Sequence, residues 1–302
     1  MRSLPLGTTG LEVTRVIAGA ARAPVPVRRG VDSLGEAWDL GVRALDVSDL
    51  GAPTETAAER FLEDRQPEDA VILAGIGGTA RPDRGSDLSP ERLERSLAAA
   101  ARRLGRLDLA WLGGSDAETP LEATLTPLAA ALDAGRMRGW GAGDADVWRL
   151  DELLTAADRT GLPRPGFVRI RLNLLERGGE RDLLGLAAGE GVGVLARTPL
   201  AAGRLTDAHV AAEEAAEVAA RAGTPRGAPA DPALAALLDL RGFARDRSVS
   251  TAALALAWLA GHPGVSATIV AARSPAEWET VHEALEADLD EELRDRLGER
   301  FR

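Results

Sequence analysis

The sequence predicts an α/β fold, a (β/α)8 TIM barrel. Short apolar runs alternate with longer stretches of helical period, the pattern of repeated βα units on a parallel sheet. No G-x-G-x-x-G fingerprint follows the first strand, which argues against a doubly wound dinucleotide-binding sheet. No break in composition divides the 302 residues, of which 45% are hydrophobic. A prior of roughly 150 residues per domain suggests two units, but α/β barrels routinely spend about 250 on one. Residues 1–302 therefore read as a single barrel domain.

Eight strands are expected, at Val16–Ala20, Ala44–Ser48, Val71–Ala74, Leu107–Leu112, Gly139–Ala142, Phe167–Leu172, Gly193–Arg197 and Thr268–Ala271. Helices are expected at Arg29–Leu40, Thr54–Leu62, Pro90–Leu104, Leu121–Ala134, Trp148–Ala157, Arg181–Gly189, Ala233–Asp246, Thr251–Gly261 and Ala276–Ala287. Ser89 before Pro90 makes an N-cap with proline at the first helical position. Gly105 follows Arg102-Arg103-Leu104 as a C-terminal glycine with cations in the last turn. After the seventh strand, Ala202–Asp231 reads as a long irregular loop, with an Ala/Glu-rich helical piece near Ala211–Ala222. Connections of that length are usually lids, binding loops or disordered.

Composition excludes several classes. Cysteine is absent, so disulfides, thiolate nucleophiles and cysteine-ligated metals are out, and no metal site is expected. The net charge of −11 disfavours binding to a phosphate backbone, so no nucleic-acid partner is expected. No stretch reaches the ~18 apolar residues of a membrane span, and Met1-Arg2-Ser3-Leu4-Pro5 has no apolar export segment, so a cytoplasmic protein without a membrane partner is expected. Every basic residue is arginine, and tyrosine is absent. A GC-rich genome explains scarcity of both Lys and Tyr well, and total loss at a catalytic position poorly.

Motifs along the chain resemble those of the aldo-keto reductases. Leu6-Gly7-Thr8-Thr9-Gly10-Leu11-Glu12-Val13-Thr14 is similar to the LGxTGLxVS opening of that family, which implies an N-terminal hairpin plugging the barrel's base. Gly41-Val42-Arg43-Ala44-Leu45-Asp46 resembles its second strand, and Gly135-Arg136-Met137-Arg138-Gly139-Trp140-Gly141 its GKVRxxG. Thr198-Pro199-Leu200-Ala201-Ala202-Gly203-Arg204-Leu205-Thr206 resembles its SPLxxGxLT cofactor loop. Ala255-Leu256-Ala257-Trp258-Leu259 and Ala272-Arg273-Ser274-Pro275 match ALAWL and GxRSP. Singly these are weak, but together they run in family order over nearly the whole chain.

The resemblance implies a site, and the residues depart from it. Reducing a carbonyl needs a hydride at carbon and a proton at the developing alkoxide. In the family a Tyr gives the proton, its pKa lowered by a Lys that an Asp holds, while a His orients the substrate oxygen. The Asp matches Asp46. The stretch that carries the Tyr reads Asp46-Val47-Ser48-Asp49-Leu50-Gly51 here, so Leu50 or Gly51 stands in its place. Gly75 follows Ala74 where the Lys is expected, and Gly113 follows Leu112 where the His is expected. Barrel chemistry gathers at strand C-termini, which leaves His209, His262 and His282 poor substitutes. His262 reads as a cation at a helix end.

The cofactor positions are altered too. Gly143-Asp144 replaces a Ser-Asn pair, Arg169 a Gln, and Arg197 the aromatic that stacks on nicotinamide. Arg273 and Ser274 match positions that grip an adenosine 2′-phosphate, which implies NADP, although Val281 and Ala271 depart from the pattern. The resemblance thus assigns cofactor binding to Asp144, Arg169, Arg197, Thr198, Leu200, Gly203, Leu205, Arg273, Ser274 and Glu277, with Asp46 as the catalytic candidate.

Each has a plainer reading. Asp46 is either a retained functional carboxylate or a strand-end Asp satisfied by its neighbours. Arg169 and Arg171 share a strand face. Arg169 and Arg197 either pair with Asp46 or Asp144 as a structural network or bind an anion. Arg273 and Ser274 are either a phosphate site at a helix start or ordinary loop residues. Asp49 and Asp116 read as solvated, and Trp148 and Trp258 as core. The expected function is a non-reducing homologue that binds NADP or an anionic small molecule. Two alternatives stay open: an enzyme of non-hydride chemistry (lyase, isomerase or cyclase), or an NADP-dependent oxidoreductase using an atypical donor, such as water held by Asp46 or Ser48.

Overall fold

A computed structural model describes residues 1–19, 25–47, 52–77, 86–220, 232–287 and 289–301, with the backbone alone at 52–56 and 220. The chain opens with an antiparallel pair, β1 (Ser3–Pro5) and β2 (Glu12–Thr14), in which Leu4 faces Val13. Eight further strands follow: β3 (Val16–Gly19), β4 (Ala44–Asp46), β5 (Val71–Ile76), β6 (Leu109–Gly113), β7 (Gly139–Gly143), β8 (Phe167–Arg171), β9 (Gly193–Arg197) and β10 (Ala267–Val270). They close a parallel barrel in sequence order, with β10 bonded to both β9 and β3. The (β/α)8 TIM barrel and its hairpin are therefore as expected.

The helices are α1 (Val27–Asp39), α2 (Ala52–Arg65), α3 (Pro90–Leu104), α4 (Leu121–Asp133), α5 (Val147–Thr160), α6 (Leu183–Gly189), α7 (Asp207–Ala220), α8 (Pro232–Asp246), α9 (Thr251–Ala260), α10 (Pro275–Glu286) and α11 (Glu291–Arg300). Helix α3 has the expected bounds, and Gly105 caps it in the left-handed region at φ 75°. Ser89 precedes the helix without a capping side-chain bond; its hydroxyl donates to Asp87 instead. Two elements differ from expectation. Helix α7 starts at Asp207, so much of the supposed irregular loop is helical; residues 221–231 lie outside the described residues. The other is α11. Asp290 caps it by accepting from the Leu293 amide, and Leu293 and Leu297 anchor it in the core.

Two apolar clusters divide the interior. One lies between barrel and helices; the other fills the barrel and includes Leu6, Leu11, Val13, Ile17, Leu73, Leu109, Trp111, Phe167, Leu195 and Ile269. The presence of Leu6, Leu11 and Val13 in the second means that the hairpin plugs the base. Gly7 makes that possible: it turns at φ 50°, and a Cβ there would collide with the Gly166 carbonyl and the Gly193 amide. The opposite, C-terminal end of the barrel is where side chains from alternate strand positions converge.

Candidate functional site at the barrel mouth

Asp46 ends β4 and points into the barrel, 2% exposed. Its partner is Arg169, an inward residue of β8 that is 1% exposed. Arg169 Nη1 donates to Asp46 Oδ2 at 2.8 Å, and the Trp111 indole Nε1 donates to Asp46 Oδ1 at 3.3 Å. The guanidinium carbon of Arg169 sits 3.6 Å from the Trp111 ring centroid, a desolvated cation–π stack. Arg169 Nη2 lies 3.8 Å from Asp144 Oδ2, and Arg197 Nε donates to Asp144 Oδ1. The expected network is thus present, with both Asp46 and Asp144 taking part. Burial explains why the charges are paired, since an ionised group removed from water persists only with charged or hydrogen-bonding partners.

Trp111 itself went unassigned at sequence level. It is an inward residue of β6, opposite Gly75 on β5 and Gly141 on β7. A Cβ on Gly75 would stand 2.5 Å from Trp111 Cζ2, and one on Gly113 would stand 3.0 Å from Cζ3. A Cβ on Gly143 would overlap Cε3. The indole therefore fills the volume left by glycine at the positions matched to the family's Lys, His and carboxamide-binding Ser. All three inward residues of β7 (Gly139, Gly141 and Gly143) lack side chains, and Leu109, Phe167 and Trp111 lean into the space. The signal was legible: glycine at a period of two on β7 beside a tryptophan on β6. Leu50 and Gly51, matched to the Tyr, lie outside the described residues, as do Ser48 and Asp49.

From the mouth a cavity of about 450 Å³ runs outward over the ends of β9 and β10 to α9 and α10. Asp46, Arg169, Arg197 and Thr198 line its inner end. Leu200, Gly203, Leu256, Ile269, Ala271 and Val281 line its walls, and Arg273 and Glu277 its outer end. Of the residues assigned to cofactor binding, Leu205 is buried core instead, Asp144 lines a neighbouring hollow, and Ser274 caps α10 away from the described lining. Arg273 is held by Glu277: Nη2 to Oε1 is 3.0 Å, and its backbone N–H donates to Oε2 at 2.9 Å. The loop carrying Thr198, Ala201 and Ala202 keeps all three at positive φ, near 61°, 49° and 57°. Side-chain-bearing residues adopt that region at a cost of order 1 kcal/mol each.

Other expectations are corrected. Trp148 is 79% exposed on α5 and is not core, whereas Trp258 is 2% exposed and is. Trp148 sits one residue into α5, with its side chain in solvent. Arg171 turns to solvent and pairs with Glu176 at 3.1 Å, since the shared strand face leaves the barrel at its rim. Asp116 is not simply solvated. The Thr119 hydroxyl and the amides of Leu88, Glu118 and Thr119 donate to it and hold its carboxyl down at about 2. His262 is more than a helix-end cation: its Nδ1 accepts from the Gly264 amide, and its Nε2 lies 3.6 Å from Glu180 Oε1. Among the described residues no cluster of metal ligands occurs, and no helix is long and apolar enough to cross a membrane.

A parallel eight-stranded barrel with an ion-paired cluster and a cavity at its C-terminal mouth defines the class: a TIM barrel. The model of the Aldo/keto reductase family matches residues 15–299, and the chain belongs to that family. It is 28% identical over 289 residues to a probable voltage-gated potassium channel subunit beta of Arabidopsis thaliana, covering 88% of this chain and 86% of that one. It is 24% identical to an uncharacterized oxidoreductase of Bacillus subtilis, over 98% and 94% of the two chains. An NADH-specific methylglyoxal reductase of Escherichia coli is 25% identical over 68% of this chain and 69% of its own length.

The family's nicotinamide cofactor is a poor fit to the inner end of the cleft. The Gly143 position has no room for a side chain, Asp144 is taken by arginines, and a cation stands at Arg197 where an aromatic face would stack.

Proposed function

We propose that this protein is a non-reducing member of its family, a pseudoenzyme that binds an anionic small molecule at the barrel mouth. The observation that carries this reading is the Trp111 indole standing where the catalytic side chains are expected, with Asp46 already accepting from Trp111 and Arg169. A guanidinium stays protonated at any physiological pH, and an indole N–H is a donor only. Neither can pass a proton to an alkoxide as a phenol does. NADP is the second ligand to consider, and the observation in its favour is Arg273 beside the start of α10 at the cavity's outer end. Non-hydride chemistry at Asp46 and the arginines is the enzymatic alternative, and a reductase with an atypical donor the other. On this reading the partner is a small molecule and neither nucleic acid nor membrane, and the setting is cytoplasmic.

The test is NADPH consumption with a panel of aliphatic and aromatic aldehydes. No turnover above the buffer rate is expected. A kcat within the usual enzyme range of roughly 1–1000 per second would overturn the proposal.

A further inference from the structure

We infer that the cavity over β9 and β10 takes a short amphipathic anion, a carboxylate on an apolar body gripped by Arg197, and does not take a pyridine dinucleotide. This rests on the reading of the cavity as a ligand site and commits that reading to one ligand class.

The polarity of the cavity runs the wrong way for a dinucleotide. Such a ligand carries its charge in the middle, on the pyrophosphate, between two rings with polar edges. Here the charged side chains stand at the two ends, and Leu200, Leu256, Ile269, Val270 and Val281 line the stretch between them. A pyrophosphate laid along those walls would lose its hydration without gaining cations, which is costly. At the outer end, Glu277 already occupies the Arg273 guanidinium through its Oε1. A 2′-phosphate brought there would meet a carboxylate as well as an arginine. At the inner end, the Asp46–Arg169 pair and the indole behind it fill the barrel's axis.

A carboxylate with an apolar tail has the matching pattern. Arg197 is 15% exposed at its side chain and lines the inner end. A guanidinium has five N–H donors. Among the described residues, Asp144 accepts from Nε and Thr198 Oγ1 accepts from Nη1 at 3.3 Å. Donors therefore remain for a ligand oxygen, and Asp144 fixes the orientation of the fork. The tail then lies along the apolar walls, where burial is worth about 25 cal/mol per Å² of apolar surface. A volume near 450 Å³ falls within the range of small-molecule sites, roughly 300–1000 Å³.

Isothermal titration of the full chain with decanoate, decanol, NADPH and NADH tests this. Decanoate is expected to bind at least about tenfold more tightly than decanol, the factor expected of a charge-assisted hydrogen bond. Arg197→Met is expected to remove that advantage and leave decanol unchanged, while Arg197→Lys recovers part of it. Neither dinucleotide is expected to bind at ~100 μM, a concentration at which weak sites still register. Should Arg197→Met fail to fold, the decanoate–decanol comparison on the unaltered protein decides. Dinucleotide binding at that concentration overturns the inference, as does decanoate binding no tighter than decanol, or an Arg197→Met variant that keeps the preference. The two readings separate cleanly: NADPH binding without aldehyde turnover sinks this inference alone, whereas turnover sinks the non-reducing reading.

Discussion

At the scale of single residues, the barrel mouth is a packing solution rather than a set of deletions. Trp111 needs Gly75, Gly113 and Gly143, because any Cβ at those positions meets its ring at or inside contact distance. Gly75→Ala is therefore expected to destabilise by about 1–3 kcal/mol, the usual penalty of overpacking. In a Trp111→Leu background the same substitution should cost much less, because the ring it strikes is gone. Chemical denaturation of the four proteins of this double-mutant cycle measures the coupling, and strict additivity would show that Gly75 and Trp111 do not share the space. This is also where sequence reading ran short. Gly75 and Gly113 stand in the sequence where the family resemblance implies Lys and His. What takes their volume is signalled only by the glycines at a period of two on β7 and the tryptophan on β6, because Trp111 lies 36 positions from Gly75 and 32 from Gly143, and strand pairing sets the three side by side.

At the scale of elements, α11 shows how the helical layer is fastened. No motif announced this helix, whose mostly charged sequence gives little apolar periodicity; besides Leu293 and Leu297, other elements hold it. Trp258 of α9 donates its indole N–H to the Arg294 carbonyl at 3.0 Å, and Arg177 donates to the Gly298 carbonyl. Arg177 in turn holds Glu180, at 2.8 Å from Nε and 2.5 Å from Nη2. Burial pushes the Glu180 carboxyl up, but hydrogen bonds from His262 and Arg177 and their charges outweigh it and bring it to about 2, from an ordinary 4.5. A carboxyl depressed in the folded state contributes stability that is complete above its unfolded value and fades as pH falls toward the folded one. The stability advantage of the native chain over Glu180→Gln should thus be present at about pH 4.5 and shrink progressively toward pH 2. Urea midpoints between these limits measure it, and a difference that ignores pH would refute the assignment. The elements that sequence reading placed well, such as α3 and the eight strands, are those whose own periodicity and caps suffice. The start of α7 escaped because its first residues read as loop.

At the scale of the whole molecule, the composition has a consequence for alkali. The chain has no Lys, Tyr or Cys. Once histidines and the terminal amine have titrated, no side chain changes charge until arginine does, so from about pH 9 to about pH 11.5 folded and unfolded states bind the same protons. Stability should be flat across that window, as read from urea midpoints; a steady decline would mean that an unconsidered group titrates. Arg15 is the first to depart from this. Burial, and secondarily the charge of Arg2, lowers its guanidinium, so the folded state releases that proton early and stability rises there rather than falls. The barrel was legible at this scale because βα alternation is a property of the entire chain, whereas the site was legible only as departures from a pattern. Which arginine faces which carboxylate depends on strand register, and the register that sets Gly143 against Arg169 is written in no single segment.

The indole wedged among glycines also bears on the order in which such a mouth could be rebuilt. A lysine introduced at residue 75, or a histidine at 113, would arrive in space held by the Trp111 ring and destabilise the barrel. Only a chain that first exchanges residue 111 for something smaller has room to accept them, and that first step leaves a hole in the packing. Sterics therefore set the order of substitution at this mouth, residue 111 before residue 75 or 113.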